Sequence, residues 1–494
     1  MIRHMHSAAE DSRASLPMTG APLYQRLAEH YRHVIRTGTL APGERMPSVR
    51  ALMRQHHVSL STALQTFRHL EDAGWLEARP RSGYFVRLAP TSRLPGASEP
   101  DMRVAPAAAR YVGLHERISS VIERAHAAPD ALNLGGATAA ASLYPGAALQ
   151  ALAVKLLRHH PTLLTDTGGE GHCPAFRQAL AHRAMSCGVV VAPQDIIVTN
   201  GAVEAMSLAL RAVAQSGDTI AIESPAFFGL LQLLESLGLR ALEIPTSPTT
   251  GISLEALDTA LSAYGNVKAV VVVPHLQNPL GSVMPDARKA GLVTLCRRHG
   301  IAIVEDEPYR ELLEHAEHVQ PVKAWDRDGS VIYCVSLNKI LAPGMRLGWM
   351  DAGRWSARVR MLKYAQTRHG DVLTQRVAAE FIGSGAYDRH LHRLRARLRV
   401  QRDATADAIA RHFPAGTRLG VPPAGLLLWV ELADGHSSEH LFHAALREGI
   451  RIAPGTIFSN SGRFDAFLRL SCAQPFDRDL DDALRRLGRL ARHG

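Results

Sequence analysis

Five short runs of apolar residues, rich in β-branched side chains, recur between Ile196 and Val335, and the chain between them has helical texture. The runs are Ile196–Thr199, Thr219–Glu223, Val267–Pro274, Ile301–Glu305 and Val331–Val335. A strand with one face in water alternates polar and apolar residues, whereas a strand covered on both faces is apolar throughout. Continuous runs of this length, separated by helices, therefore predict an α/β fold with a mostly parallel sheet and helices on both faces. Farther along, Leu426–Glu431 and Phe467–Ser471 predict strands of a smaller α+β subdomain over about residues 385–490.

The front of the chain is built differently. Leu23, Leu27, Tyr31, Val34 and Ile35 have helical spacing, and Gly38 follows as a stop signal. After a turn at Pro42-Gly43, Ser48 can cap a short helix over Val49–Gln55. A further helix, opened by Val58-Ser59, runs from Thr62 to Ala73 and ends at Gly74. Trp75–Arg79 and Gly83–Arg87 then alternate like two short strands around a turn at Pro80–Gly83. Three helices and a hairpin make a winged helix-turn-helix, a mainly helical α+β module over residues 22–87. Residues 1–21 are polar and predict a disordered tail. Residues 88–111 carry Pro90, Pro95, Gly96, Pro100 and Pro106 among Ala and Ser, and predict a linker. The remainder, residues 112–490, forms the α/β domain.

Composition narrows the function. At 494 residues the chain can bury large cores, and it has no apolar stretch long enough to span a bilayer. Met1 to Gly20 is polar where a secretory signal would be apolar, so a cytoplasmic protein is expected. The five cysteines, Cys173, Cys187, Cys296, Cys334 and Cys472, are scattered, which predicts reduced thiols. The 25 histidines show no metal-ligand spacing, and no metal is expected. The net charge is +10, and the first 90 residues hold twelve Arg against seven Asp or Glu. A basic module of this kind suits a polyanion.

The segment Leu40-Ala41-Pro42-Gly43-Glu44-Arg45-Met46-Pro47-Ser48-Val49-Arg50 resembles the signature of the GntR family of winged-helix repressors. The similarity continues through Leu70–Leu76 and Arg79–Val86. A helix starting at Ser59 offers Ser61, Thr62 and Gln65 to base edges or phosphates at its N-terminal end. Arg45 and Arg50 flank the preceding helix, while Arg79 and Arg81, with the small Gly83, put charge at the wing tip. The resemblance implies that Arg45, Ser48, Arg50 and the wing bind double-stranded DNA.

Ser336-Leu337-Asn338-Lys339-Ile340-Leu341-Ala342-Pro343-Gly344-Met345-Arg346 carries a second resemblance, to the cofactor-lysine segment of fold-type I pyridoxal-phosphate enzymes. A Schiff base needs a primary amine, which arginine cannot supply. The chain has only six Lys against fifty Arg, so Lys339 directly after an apolar strand is not one cation among many. Ile303–Tyr309 puts an acid at the carboxyl end of another strand, where open α/β sheets bind ligands. By resemblance Asp306 pairs with the pyridine nitrogen, and Tyr309 and Asn278 with the phenolic oxygen. Gly201 and Ala202 open a helix suited to a phosphate, with Ser336 and Arg346 adding a hydroxyl and a guanidinium. The same resemblance lays Phe227 against the ring face and assigns Arg469 to a ligand carboxylate, a task suited to a bidentate guanidinium.

The two resemblances together are those of the MocR-type regulators, over residues 22–87 and about 112–490. They imply a head-to-tail homodimer that binds pyridoxal 5′-phosphate and an operator. Its DNA affinity responds to an amine, an amino acid or the cofactor through Schiff-base exchange at Lys339. A working aminotransferase with an accessory winged helix remains the alternative, since every residue needed is present; an apo regulator is a third. The chain departs from the family pattern at Asn338, where Ser or Thr is common, and at Phe227, where Tyr is more frequent. It departs again at His275-Leu276, and over Leu164–Gly171, which lacks the usual tyrosine. These departures put efficient turnover in doubt and leave the lysine, acid and phosphate set intact.

Overall fold

The amphipathic stretch at the front forms α1 (Leu23–Arg36), which buries Leu27, Ala28 and Tyr31. Helix α2 (Val49–His56) begins at Ser48, whose hydroxyl accepts from the Ala51 N–H at 3.1 Å. Helix α3 (Leu60–Asp72) begins at Ser59, which accepts from the Thr62 N–H at 3.2 Å. Each cap satisfies an amide that the first helical turn leaves without a partner. The wing is the antiparallel pair β1 (Leu76–Arg79) and β2 (Gly83–Val86). A third segment joins it, because the Met46 N–H donates to the Tyr84 carbonyl and the Val86 N–H to the Glu44 carbonyl, both at 2.8 Å. The ring of Tyr84 stacks on Phe67 of α3 at 4.6 Å and fastens the wing to the helices.

The computed structural model describes residues 22–492 except 42, 80–81, 88–93, 105, 112, 114, 166–172, 315, 317–318 and 434. The chain divides into two compact units, residues 1–91 and 92–494. The expected tail, Arg81 of the wing and most of the Leu164–Gly171 stretch lie outside the described residues.

In the second unit, β3 (Arg110–Tyr111) leads to α4 (His115–His126), β4 (Leu132–Asn133), α5 (Gly146–His159) and α6 (Pro174–Met185). The other strands of the large sheet, to which β3 already belongs, follow. Strand β5 (Ile197–Thr199) is followed by α7 (Ala202–Val213), β6 (Thr219–Ser224), α8 (Phe228–Ser236), β7 (Arg240–Ser247) and β8 (Gly251–Ile252). Next come α9 (Leu254–Ala263), β9 (Val267–Val272), α10 (Asp286–His299), β10 (Ala302–Glu307), β11 (Val331–Ser336) and β12 (Gly348–Asp351). Spatial order is β3-β7-β6-β9-β10-β11-β12-β5, with β8 paired to β7. Strands β7, β6, β9, β10 and β11 are parallel, while β12 is antiparallel to both β11 and β5. The carboxyl ends of β5, β6, β9, β10 and β11 consequently share one edge of the sheet. Buried rows such as Ile220, Ile222, Val271 and Val304 on one face, and Ala221, Val270 and Ile303 on the other, explain the unbroken apolar runs.

Helices α11 (Ser356–Gln366), α12 (Val372–Ile382) and the 28-residue α13 (Gly385–His412) lead into the smaller subdomain. Its sheet has the order β13 (Arg418–Gly420), β14 (Leu427–Glu431), β17 (Phe467–Ser471), β16 (Ala453–Pro454). Helices α14 (Ser438–Arg447) and α15 (Arg478–Leu490) close its core, and β15 (Ile450–Arg451) pairs with β4.

Two features differ from the sequence expectation. Residues of the Pro-rich stretch are bonded into the second unit. Leu419 N–H donates to the Pro95 carbonyl at 2.8 Å, Ser98 N–H and Oγ donate to Glu431, and Arg110–Tyr111 adds a strand to β7. Proline prevents the stretch from making its own ladder but leaves its carbonyls available to a neighbour. The eight-residue β7 was also not anticipated, because Glu243 and Pro245 interrupt its apolar pattern. Glu243 is nevertheless buried, accepting from Ser224 Oγ at 2.8 Å, Ser459 Oγ at 2.7 Å, the Asn460 N–H at 2.5 Å and Arg463 at 3.2 Å.

Candidate functional site

The loops that leave the shared sheet edge bring the expected residues of the large domain together. After β5, Gly201 takes a left-handed backbone (φ 81°) that hands the chain into α7. A Cβ there would lie 2.9 Å from Asn338 Nδ2 and 3.4 Å from a terminal nitrogen of Arg346. On the other side, a Cβ on Gly348 would sit 2.8 Å from Gly201 itself. Two glycines are required for this approach, and the result is a small cradle. It is edged by the first amides of α7, the Arg346 guanidinium and Asn338. Ser336 ends β11 and is buried, with its Oγ accepting from the Asn338 N–H at 3.3 Å. Amides at a helix start and a guanidinium make a dianion site.

Lys339 follows in the next turn, half-buried, with Nζ donating to Thr138 Oγ1 at 3.3 Å. Burial, and then the charges of Arg469 and Arg346, pull its pKa down to about 8, against the opposing pull of Asp306. Strand alternation points Asp306 away from its neighbours Glu305 and Glu307. Those two are tied up on the far side. Glu305 accepts from the Val322 and Lys323 amides at 2.7 and 2.8 Å, and Glu307 meets His275 at 2.6 Å. Asp306 is buried, and its Oδ1 has no hydrogen-bond partner among the described residues. Burial, chiefly, and then Glu307 raise its pKa to about 7.

Tyr309 is buried beside Asn278, and burial lifts its phenol to about 12. Asn278 Oδ1 accepts from Arg469 at 2.8 Å, and the second terminal nitrogen of Arg469 donates to the Gly135 carbonyl at 2.5 Å. Arg469 belongs to β17 of the small subdomain and is almost fully buried, its guanidinium 5.1 Å from the Phe458 ring and 5.9 Å from that of Phe228. Burial lowers its pKa to about 10. Phe227 is half-buried, its ring lying against Gly229, where a Cβ would come within 2.5 Å of it.

These residues fit pyridoxal phosphate. A buried carboxyl with an orphaned oxygen is what a protonated ring nitrogen requires, since an unpaired buried polar atom is costly. The glycine cradle fits the phosphate, and a lysine of lowered pKa fits the aldehyde. Sequence reasoning missed Thr138 and Gly135, the partners of Lys339 and Arg469. Both stand in the loop after β4, where the pair Gly135-Gly136 is the available signal of a close backbone approach. It also missed Gln277, which donates to the Pro225 carbonyl at 2.8 Å and accepts from the Leu280 N–H at 3.0 Å, holding the Asn278 loop.

In the first unit, Arg45, Arg50, Ser61 and Gly83 are exposed and Thr62 is half-buried. Arg45 lies over the wing, since a Cβ on Gly83 would be 3.4 Å from its guanidinium. Ser48 is engaged as the α2 cap, and Arg79 closes β1. Arg81 is not among the described residues.

Comparison with known proteins agrees with this division. Residues 23–86 match the family described as bacterial regulatory proteins, gntR family, and residues 141–487 match aminotransferase class I and II. The HTH-type transcriptional regulator YjiR of Escherichia coli (strain K12) is 35% identical over 94% of this chain and 98% of its own. A second regulator from that organism, YdcR, is 34% identical over the same shares. Among solved structures, the α-aminoadipate aminotransferase LysN of Thermus thermophilus, complexed with N-(5′-phosphopyridoxyl)-L-leucine, is 27% identical. It aligns with a TM-score of 0.67 over 76% of this chain and 94% of its own. A gntR-type winged helix followed by a complete class I and II aminotransferase domain, with regulators matched end to end, places the chain in the family of MocR-type transcriptional regulators.

Proposed function

We propose that the protein binds pyridoxal phosphate in its large domain and uses it to sense a primary amine or amino acid, the occupancy of that site setting the affinity of the winged helix for an operator. The observation that carries this reading is the presence in one chain of a capped winged helix with exposed Arg45 and Arg50, and of the Lys339–Asp306–Arg469 constellation.

The bound cofactor supplies an aldehyde reactive toward primary amines and a ring that withdraws electrons. Lys339, with its pKa near 8, presents a partly neutral amine to that aldehyde and accepts the proton released when another amine takes its place. Asp306 holds a proton on the ring nitrogen. Asn278 and Tyr309 orient the ring edge, and the Gly201 amides, Ser336 and Arg346 anchor the phosphate. Arg469 pairs with a ligand carboxylate. The coupling to DNA equals the ligand's preference between the two states of the protein. The reading includes a homodimer, because winged helices of this kind read paired half-sites, and a cytoplasmic location. Among the described residues no helix is long and apolar enough to cross a membrane.

The test is to titrate the cofactor-loaded protein with a panel of amines and amino acids. The visible absorption is followed together with affinity for its own upstream DNA. One compound should change both, and Lys339→Ala should lose the resting absorption band. A compound that changes the spectrum with no effect on DNA binding overturns the sensor. A second reading, a functional aminotransferase, is favoured by the fold-level match to LysN and by the completeness of the residue set. Steady production of a keto acid from an amino donor at ordinary enzymatic rates would place it first.

A further inference from the structure

The recognition helix α3 presents an apolar strip where a DNA-facing helix usually presents polar groups. Leu60, its first residue, is 54% exposed. Leu64, one turn later and on the same side, is half-buried, and neither leucine belongs to the module's core of Leu27, Leu52, Phe67, Leu70, Leu76 and Val86. The polar groups at this end of the helix hydrogen-bond one another. Ser59 Oγ lies 2.8 Å from Ser61 Oγ and 2.9 Å from Thr62 Oγ1, while it also caps the helix. Arg68 is exposed one turn farther along the same side, Gln65 is exposed about a quarter-turn round the helix from Leu64, and Arg45, Arg50 and Arg54 are exposed in the preceding segment.

We propose that α3 reads its operator partly through thymine C5-methyl groups in the major groove, contacted by Leu60 and Leu64. This rests on the DNA-binding reading above. The thymine methyl is the apolar group on the major-groove edge of a base pair and distinguishes T·A from A·T and both from G·C. The surrounding arginines supply the phosphate attraction that brings an otherwise apolar strip against a polyanion. Ser61 and Thr62 each spend one hydrogen-bonding position on Ser59, and Gln65, the residue after Leu64, is an exposed amide beside the strip. An amide there pairs naturally with adenine. The expected half-site core is therefore rich in T and A.

The experiment uses the full-length protein. Sites are selected from a randomised duplex pool, and affinity is measured by fluorescence anisotropy on the best duplex. The same measurement is made on versions in which single thymines are replaced by deoxyuridine, which removes only the methyl. One or two thymines should each lose about fourfold in affinity. Leu60→Ala or Leu64→Ala should erase that difference at its own thymine while the salt dependence stays that of wild type. Equal binding of thymine and uracil duplexes by the wild-type protein would overturn the proposal without any variant being needed. So would a methyl effect that survives both substitutions. Selection of no duplex at all would instead remove the DNA-binding reading, and this proposal with it.

Discussion

Arg469 and Asn278 are joined by a 2.8 Å hydrogen bond between side chains 191 residues apart, one on the small-subdomain sheet and the other on a loop of the large sheet. The guanidinium is thereby aimed before any ligand arrives, with its positive charge already desolvated. Hydrogen bonds to charged groups contribute about 1.5–3 kcal/mol. Arg469→Gln, which keeps a donor for Asn278, should weaken amino acids by roughly 10- to 100-fold and leave their decarboxylated amines nearly unchanged. Absorption titrations with matched pairs of the two will measure this.

Capture of cofactor by the apoprotein should depend on pH through Lys339. Its pKa of about 8 makes the amine protonated and unreactive below that pH. The rate at which the visible band grows should therefore fall about tenfold per unit below pH 8 and level off above it. Lys339→Arg should show no band at any pH, because a guanidinium stays charged.

Asp306 gives the opposite kind of pH effect, on stability. Its pKa of about 7 lies above the ordinary 3.8, so the native state holds a proton that the unfolded chain has released. Stability contributed at this residue is present below about pH 4 and is lost as pH rises toward 7. Asp306→Asn should accordingly raise the thermal midpoint of the apoprotein relative to wild type at pH 8, with the gain vanishing near pH 4. The same change should weaken cofactor binding at least tenfold. Thermal melts by circular dichroism and cofactor titration will check the two halves.

Gly201→Ala should damage the phosphate cradle. The new Cβ meets Asn338 Nδ2 at 2.9 Å, and a backbone at φ 81°, ψ 177° is essentially confined to glycine and costs an L-residue about 1–3 kcal/mol. Cofactor affinity should drop by tenfold or more while the melt of the winged helix is unaffected. Equilibrium binding followed by fluorescence will measure it.

Arg45→Ala, which removes the exposed guanidinium over the wing, should weaken all duplexes alike. It should reduce the slope of log affinity against log salt by about 0.9. Anisotropy across a salt series will show whether the contact is made.

Much of this architecture could be read from sequence because it depends on local patterns. The capping serines Ser48 and Ser59 mark the helix starts directly, and the five apolar runs are strands because both faces of the sheet are covered. Lys339, Asp306 and Asn278 share one edge because parallel strands end on the same side. What stayed hidden depends on partners distant in sequence. Thr138 lies 201 residues from Lys339, and β7 was missed because Glu243 looks like a solvent residue until the loop at 459–463 is folded over it. The pairing of Pro95, Ser98 and Arg110–Tyr111 is likewise determined by strands beginning at 240 and 418 and later, which no local pattern announces.

Glu243 also ties two distant parts of the large unit together. Its carboxylate takes donors from Ser224, next to the Phe227 turn, and from the Ser459–Arg463 loop beyond Phe458. Raising that loop would take donors away from a buried carboxylate, which costs about 1–3 kcal/mol for a group left unsatisfied. The loop and the strand end are thus held to each other through one buried carboxylate, and neither can be shifted without leaving that charge short of donors.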